Sequence, residues 1–168
     1  MPTVVQKQGV AVAPEALRAV TRAGDVMLGA LRKPAAELSV LLCGNRQIHA
    51  LNRAYRGKNK PTDVLAFSQR EGAPMHGDAL LLGDVVISMP TARRQARERG
   101  RSLIEEVMFL LAHGVLHLEG YDHQTDAEER RMNARADVLL GAVARQSRGK
   151  RRPARGAPAV AKRRTRGK

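Results

Sequence analysis

The sequence predicts one domain that contains both strands and helices, followed by a basic tail. The length of 168 residues fits a single domain with a short extension. Short apolar runs that end at glycine or polar residues predict buried strands, and longer segments with apolar residues three and four positions apart predict helices. Beyond residue 146 the chain consists mainly of Arg, Lys, Gly, Pro and Ala, with almost nothing to bury. We therefore expect a folded domain over 1–146 and a disordered basic tail over 147–168.

Nine elements are predicted in chain order. The apolar runs place strands near 3–7, 38–43, 64–67 and 82–88. Helical spacing and end signals place helices near 15–31, 46–55 and 90–99, a fourth that starts at the Ser102 capping box and leads into His113 and His117, and a last one that opens at Thr125. The fourth helix follows a capping box at Ser102 and is apolar on much of its circumference, so we expect it to be central.

Four finer predictions concern particular residues. Asn45 is a candidate N-cap of the second helix, and Ile48, Leu51 and Tyr55 would form the buried stripe of that helix. Asp84, at the start of the fourth strand, would either orient a histidine or serve a structural turn. His76 falls in a stretch without periodicity, where we expect a solvated loop.

Composition narrows the classes of function. The chain has two Tyr, two Phe and no Trp, so stacking of bases on aromatic side chains is not a major mode of binding nucleic acid. The single cysteine excludes an intrachain disulfide and fits a reducing compartment. The N-terminus lacks the pattern of a signal peptide, and no apolar stretch approaches membrane-spanning length. We expect a cytoplasmic protein with no membrane partner and no small-molecule cofactor.

The net charge of +14 is concentrated at the C-terminus. Eleven of the 30 Lys and Arg residues fall in 145–168, which contain no Asp or Glu. The remainder of the chain has 19 basic and 16 acidic residues and is close to neutral. A flexible polycation of this kind binds RNA through counterion release, although it can also serve only to keep the chain soluble.

Residues 113–123, with the sequence HGVLHLEGYDH, form the most informative stretch. His113 and His117 are one helical turn apart and lie on the same face of a helix. Gly120 allows a left-handed turn, so that His123 can return to the same point. A single histidine is ordinarily a surface or core residue, but three at this spacing predict a metal centre. Three imidazoles with a fourth position open are typical of catalytic zinc.

The histidine spacing resembles the metzincin peptidase motif H-E-x-x-H-x-x-G-x-x-H. The glutamate that acts as general base in those peptidases is replaced by Gly114 in this chain. Glycine cannot accept a proton, so the motif keeps the metal ligands and lacks the base of a peptidase.

Three segments together resemble the bacterial YbeY family of endoribonucleases. They are LNRAYRGKNKPTDVLAF at 51–67, LGDVVIS at 82–88 and the histidine motif. The resemblance runs from about Val4 to Leu140. The family often has Ser and Pro around the phenylalanine of the first segment, where this chain has Ala66 and Ser68.

The resemblance implies an α+β fold, with a mixed sheet of about four strands and the motif helix innermost. It implies one zinc ion bound by His113, His117 and His123, with catalytic roles for Arg56 and His113. From the residues alone, Arg56 is as consistent with a surface salt bridge or a cation at the end of its helix as with a phosphate contact, and the resemblance favours contact with RNA phosphate. Lys58 and Lys60 would extend the same RNA-binding surface, although a solvated turn is at least as ordinary a role for them. The implied activity is cleavage of single-stranded RNA in maturation of the 16S rRNA 3′ end and in ribosome quality control, with the small ribosomal subunit as partner.

Two other functions fit the same residues. One is a non-catalytic ribosome assembly factor whose metal is structural, and the other is a zinc peptidase, against which Gly114 argues. Asp122 and Asp84 are candidates for a carboxylate that assists attack, but a bracing role in the loop is as consistent with Asp122.

Overall fold

Within residues 2–69 and 81–151, four strands form one mixed sheet. They are β1 (Thr3–Gln8), β2 (Glu37–Cys43), β3 (Val64–Ser68) and β4 (Leu81–Ser88), in the spatial order β1-β2-β4-β3. The strands β1 and β4 both run parallel to β2, and β3 pairs antiparallel with β4 at the edge. The computed structural model describes residues 2–69 and 81–151, so the predicted loop around His76 lies outside the described residues.

The described part of the chain has five helices beside the sheet: α1 (Pro14–Ala30), α2 (Asn45–Arg56), α3 (Met89–Arg99), α4 (Leu103–Leu118) and α5 (Asp126–Arg151). The predicted α+β fold is confirmed, and each predicted strand is present within one residue of its predicted ends. The tail boundary was predicted too early, because α5 continues to Arg151 and the first five residues of the expected tail are helical. Arg and Lys are good helix formers, so a charged composition alone does not end a helix. Residues 152–168 lie outside the described residues.

The helix α4 is the centre of the packing, as predicted. It contacts β3 and β4 on one side and α1, α3 and α5 on the others. Leu111, Val115 and Leu116 are fully buried. Ser102 caps the helix by accepting a hydrogen bond from the backbone N–H of Glu105 at 3.2 Å. A helix that is apolar nearly all round must be enclosed, and here the sheet and three helices enclose it.

The helix α2 packs on the opposite face of the sheet. Along β4, Val85 belongs to the main core with α4, whereas Val86 joins a small second cluster with Cys43 and Ile48. Alternate residues of a strand point to opposite faces, so the two clusters cover the two sides of the sheet. The site described below lies where α2, β3 and the end of α4 come together. No helix among residues 2–69 and 81–151 is long and apolar enough to cross a membrane.

Two finer predictions about α2 are wrong. The N-cap is Gly44, and the Asn45 side chain instead accepts hydrogen bonds from the hydroxyls of Ser88 and Thr91, tying α2 to the start of α3. Tyr55 is 71% exposed rather than part of the buried stripe. Its ring contacts the edge of Phe67 and borders the candidate site.

Candidate metal centre

The end of α4 returns the chain to its own last turn. Gly120 has φ +95°, a left-handed conformation in which a side chain would be strained. The N–H of Gly120 donates to the His117 carbonyl, and the N–H of Tyr121 donates to the Leu116 carbonyl, both at 3.0 Å. This is the helix-ending turn that the sequence predicts at Gly120. It brings the segment after Gly120 back beside His117.

The returning segment places His123 and Asp122 next to His117. The ring centroids of His117 and His123 are 5.2 Å apart and the rings are steeply inclined, at 68°. One potential ligand atom from each of His117, Asp122 and His123 lies within 4.8 Å of the other two. Two imidazole nitrogens and one carboxylate oxygen are a donor set that could hold a divalent transition metal.

His117 is held in the form that binds a metal. Its Nδ1 lies 3.1 Å from the backbone oxygen of Tyr121. A carbonyl only accepts hydrogen bonds, so Nδ1 carries the proton and Nε2 keeps its lone pair. Burial lowers the pKa of His117, and the neighbouring His123 lowers it further. The ring is therefore neutral near pH 7, as a ligand must be.

His113 lies one turn earlier on α4 and is not part of this group. Its Nδ1 donates to the Phe109 carbonyl at 2.8 Å, so Nε2 is the nitrogen that keeps its lone pair, as in His117. That Nε2 lies 3.3 Å from Oδ1 of Asn133 on α5. The structure thus brings together two of the three predicted histidines and adds Asp122. Ligation by His113 stays a prediction.

A cavity of about 900 Å³ opens in front of His117 and His123. Its other wall comes from the end of α2 and the following loop, and includes Arg56, Lys58 and Lys60. All three predicted RNA contacts therefore line the same cavity as two of the predicted ligands. Besides burial and the neighbouring His123, the positive charge of Arg56 contributes to lowering the pKa of His117. One nitrogen of the Arg56 guanidinium donates to the Ala66 carbonyl at 3.3 Å, which anchors the side chain to β3.

Two positioning contacts were missed by the sequence reasoning. Asn52 is 2% exposed, and its amide donates to the Lys60 carbonyl at 2.8 Å, which fixes the loop that carries Lys58 and Lys60. The signal was a polar residue one turn after Ile48 on the inner face of α2. Lys33 forms a 2.8 Å ion pair with Glu119, directly before the Gly120 turn. The positions of Lys33 and Glu119 in the sequence do not predict this ion pair.

The structure explains why a peptidase base is absent. Gly114 is buried against the sheet, where a Cβ would lie 2.6 Å from Cγ1 of Val85 and 3.3 Å from a methyl of Val64. No glutamate can be accommodated there without separating α4 from the sheet.

The suggested role of Asp84 in orienting a histidine is wrong. Its carboxylate accepts a hydrogen bond from Gln69 at 3.1 Å and lines a different cavity.

Comparison with known proteins places this site in a family. The family model described as Endoribonuclease YbeY matches residues 5–144, which include the whole of the site. The chain belongs to the YbeY endoribonuclease family. An endoribonuclease YbeY from Pelotomaculum thermopropionicum is 46% identical over 146 residues, covering 84% of this chain and 96% of the relative. One from Anaeromyxobacter sp. (strain Fw109-5) is 49% identical over 137 residues, covering 78% of this chain and 69% of the relative.

A solved structure supports the fold. The solution structure of a Thermotoga maritima protein matches with a TM-score of 0.52 at 22% identity, over 92% of this chain and all of the other. The family model and the two relatives confirm the YbeY resemblance inferred from the three motifs. The residues beyond 144, which include the end of α5 and the basic tail, lie outside the family match.

Proposed function

We propose that this chain is a metal-dependent endoribonuclease that cleaves single-stranded RNA. Besides its family, one observation carries the proposal: Arg56 faces the same cavity as His117 and His123. A guanidinium binds a phosphate through paired N–H donors, and a metal activates attack on that phosphate, so both must reach one phosphodiester. We further propose that the substrate is small-subunit rRNA. The enzyme would trim the 3′ end of 16S rRNA in the cytoplasm and act in quality control of the small ribosomal subunit.

The proposed metal is one zinc ion per chain. The donor set fits, because zinc accepts imidazole nitrogen and carboxylate oxygen and keeps a position open in catalytic sites. His117 and His123 would be two ligands. The family resemblance makes His113 the third, which requires its Nε2 to exchange Asn133 for the metal, whereas Asp122 is the nearer alternative. Zinc in such a site supplies Lewis acidity toward a phosphoryl oxygen and acidifies water to a pKa of about 7.

Arg56 would hold the phosphate that is cleaved. Its contact with Ala66 restricts the side chain, so less conformational entropy is lost when it binds an anion. The guanidinium can offer two parallel N–H groups to a phosphate. Lys58 and Lys60 would bind neighbouring phosphates as point charges, along the loop that Asn52 fixes.

Two routes of cleavage are open to these groups, and their products differ. If the 2′-hydroxyl of the RNA attacks, its oxygen bonds to phosphorus while the P–O5′ bond breaks, giving a 2′,3′-cyclic phosphate and a 5′-hydroxyl. If water attacks, both products are linear and one carries a phosphate monoester. Identification of the product ends by mass spectrometry decides between the routes. Replacing the riboses by 2′-deoxyribose blocks only the first.

The basic tail would add affinity without sequence preference. Residues 152–168 contain seven Lys and Arg and no acidic residue. Such a segment binds RNA by releasing counterions, so its contribution falls as salt rises. Deletion of 152–168 is expected to weaken RNA binding, to flatten its dependence on salt and to leave metal affinity unchanged. Unchanged RNA affinity at low salt would refute this role.

The rival function, a non-catalytic assembly factor with a structural metal, makes a different prediction. The side chains of His123 and Asp122 are 62% and 47% exposed, so the metal centre is open to solvent rather than enclosed in a core. The folding energy of the domain then comes mainly from its apolar core, and chelation should abolish cleavage while the fold persists. A circular dichroism melt with and without chelator tests this. Unfolding on chelation would favour the structural metal.

Cleavage of a single-stranded RNA that ends in a small-subunit rRNA 3′ sequence tests the proposed activity. The metal-loaded protein should cut it, chelator should stop the cutting, and added zinc should restore it. The same sequence in a duplex should resist, since its backbone cannot bend into the cavity. Cutting that continues in excess chelator would contradict a metal-dependent reaction.

A further inference from the structure

Two guanidinium groups lie over one aromatic ring at the corner between α3 and α4. The guanidinium carbons of Arg99 and Arg101 are 5.1 and 4.7 Å from the centroid of the Phe109 ring. Phe109 lies one turn before His113 on the same face of α4, and those two rings are 4.2 Å apart. The Arg101 guanidinium can therefore lie no farther than about 9 Å from the His113 ring. Phe109 therefore contacts both His113 and the two arginines and links their side chains into one continuous row.

A buried carboxylate holds the arginine pair in place. Glu106 is fully buried and accepts hydrogen bonds from Arg99 at 3.0 Å and from Arg101 at 3.4 Å. One cation would suffice to neutralise this carboxylate, so the second leaves the cluster with a net positive charge. Each guanidinium carries five N–H donors, and among the described residues the bonds to Glu106 use one nitrogen of each.

Both arginines keep a solvent-facing part. Their side chains are 42% and 37% exposed, although they are fixed by Glu106 and by Phe109. A guanidinium that is already ordered loses little conformational entropy when it binds a phosphate. The other arginines of α3 differ in this respect. Arg93 and Arg97 are exposed, and Arg94 forms only a loose 3.8 Å pair with Glu98 on the helix surface.

We propose that Arg99 and Arg101 form a second phosphate subsite for single-stranded RNA. It rests on the proposed endoribonuclease function and extends the binding surface beyond the cavity of Arg56. A strand whose cleaved phosphate lies at His117 would continue past His113 and place a neighbouring backbone phosphate on the arginine pair. The contact is to the backbone, so it contributes affinity and register without reading the base sequence.

The test is the affinity for a single-stranded RNA of about 12 nucleotides, a length that spans both places. Fluorescence anisotropy of the full chain with excess chelator, which should stop cleavage while the fold persists, gives the affinity at several salt concentrations, and a gel after each titration verifies that the RNA is intact. Arg101→Gln should weaken binding by about 10-fold or more, as expected for one charged hydrogen-bonded contact. It should also reduce the magnitude of the slope of log affinity against log salt by about 0.7.

Two further variants separate binding from folding. The triple variant Arg99→Gln, Arg101→Gln, Glu106→Gln removes the pair without leaving a buried charge, and it changes the net charge by the same amount as the control Arg93→Gln. The triple variant should lose at least as much affinity as Arg101→Gln, whereas Arg93→Gln should lose less than about twofold. Thermal melts of all variants verify that they are folded.

The outcomes distinguish the subsite from the function on which it rests. If Arg56→Ala weakens RNA binding but Arg101→Gln and the triple variant bind like Arg93→Gln, the arginine pair is only a structural clamp and the subsite is refuted. If the unaltered protein neither binds nor cuts RNA, the proposed function and the subsite are both refuted.

Discussion

Gly114 is the position at which the packing of α4 can be tested most sharply. A Cβ at this residue would lie 2.6 and 3.1 Å from the two methyl carbons of Val85, and 3.3 Å from a methyl of Val64. Val85 is itself fully buried on β4, so it cannot turn aside into solvent. The substitution Gly114→Ala must therefore displace α4 from the sheet or force Val85 into a strained rotamer.

The expected magnitude follows from two opposing effects. Alanine is better than glycine inside a helix by about 1 kcal/mol. Overpacking of a buried site by one methyl costs about 1–3 kcal/mol, and the 2.6 Å approach places Gly114 toward the upper part of that range. We expect a net loss of about 1–2 kcal/mol in the free energy of unfolding. For a chain of this size this corresponds to a Tm lower by about 2–8 °C.

Thermal and urea unfolding of Gly114→Ala measure this loss, and Gly29→Ala is the matched control. Gly29 also lies within a helix, but nothing lies within 4 Å of an added Cβ, so alanine should be neutral or stabilising there. In the double variant Gly114→Ala, Val85→Ala the clash is removed, and the combined cost should be smaller than the two single costs together by at least about 0.5 kcal/mol. If Gly114→Ala is as stable as Gly29→Ala, the packing account of this glycine is refuted.

Three other perturbations test separate parts of the structure. Burial raises the pKa of the Cys43 thiol, so alkylation at pH 8 should be at least about 100-fold slower in the native protein than in urea, and comparable rates would contradict its burial. Glu106→Gln should lower stability by about 1–3 kcal/mol in urea unfolding, because two charged hydrogen bonds are weakened, and an unchanged midpoint would show that the pair is not stabilising. Metal titrations of alanine variants identify the third ligand among His113 and Asp122. The variant that lacks the true ligand should lose more than about 100-fold in metal affinity, which exceeds the loss typical of an indirect contact. Equal small losses from both variants would contradict a three-ligand site of this composition.

Much of the fold follows from periodicity in the sequence. The apolar runs at β2 and β4 and the nearly continuous apolar surface of α4 have no other stable placement than a buried one. The turn after α4 was predictable because Gly120 combines a helix end with a left-handed conformation. Spacing alone therefore predicted that His123 returns to His117.

Contacts between distant elements were not predictable. Asn45 is of a residue type that commonly caps helices. Its side chain instead accepts hydrogen bonds from Ser88 and Thr91, which lie 43 and 46 positions away in the sequence. Tyr55 follows the helical period of α2, but its ring lies exposed beside Phe67. His113 and His117 share a face, as the period requires, but periodicity does not say which neighbour each ring contacts. Asn133 and Tyr121 provide those contacts.

The most direct test of the central claim is cleavage of a single-stranded small-subunit rRNA 3′ sequence by three proteins purified in the same way. These are the unaltered chain, Arg56→Ala and His117→Ala, each measured with zinc present. If the cavity acts as proposed, only the unaltered chain cuts at an appreciable rate, because one variant lacks the phosphate-binding guanidinium and the other lacks a metal ligand. Equal cutting by all three would identify a contaminating ribonuclease and contradict the assignment of the site.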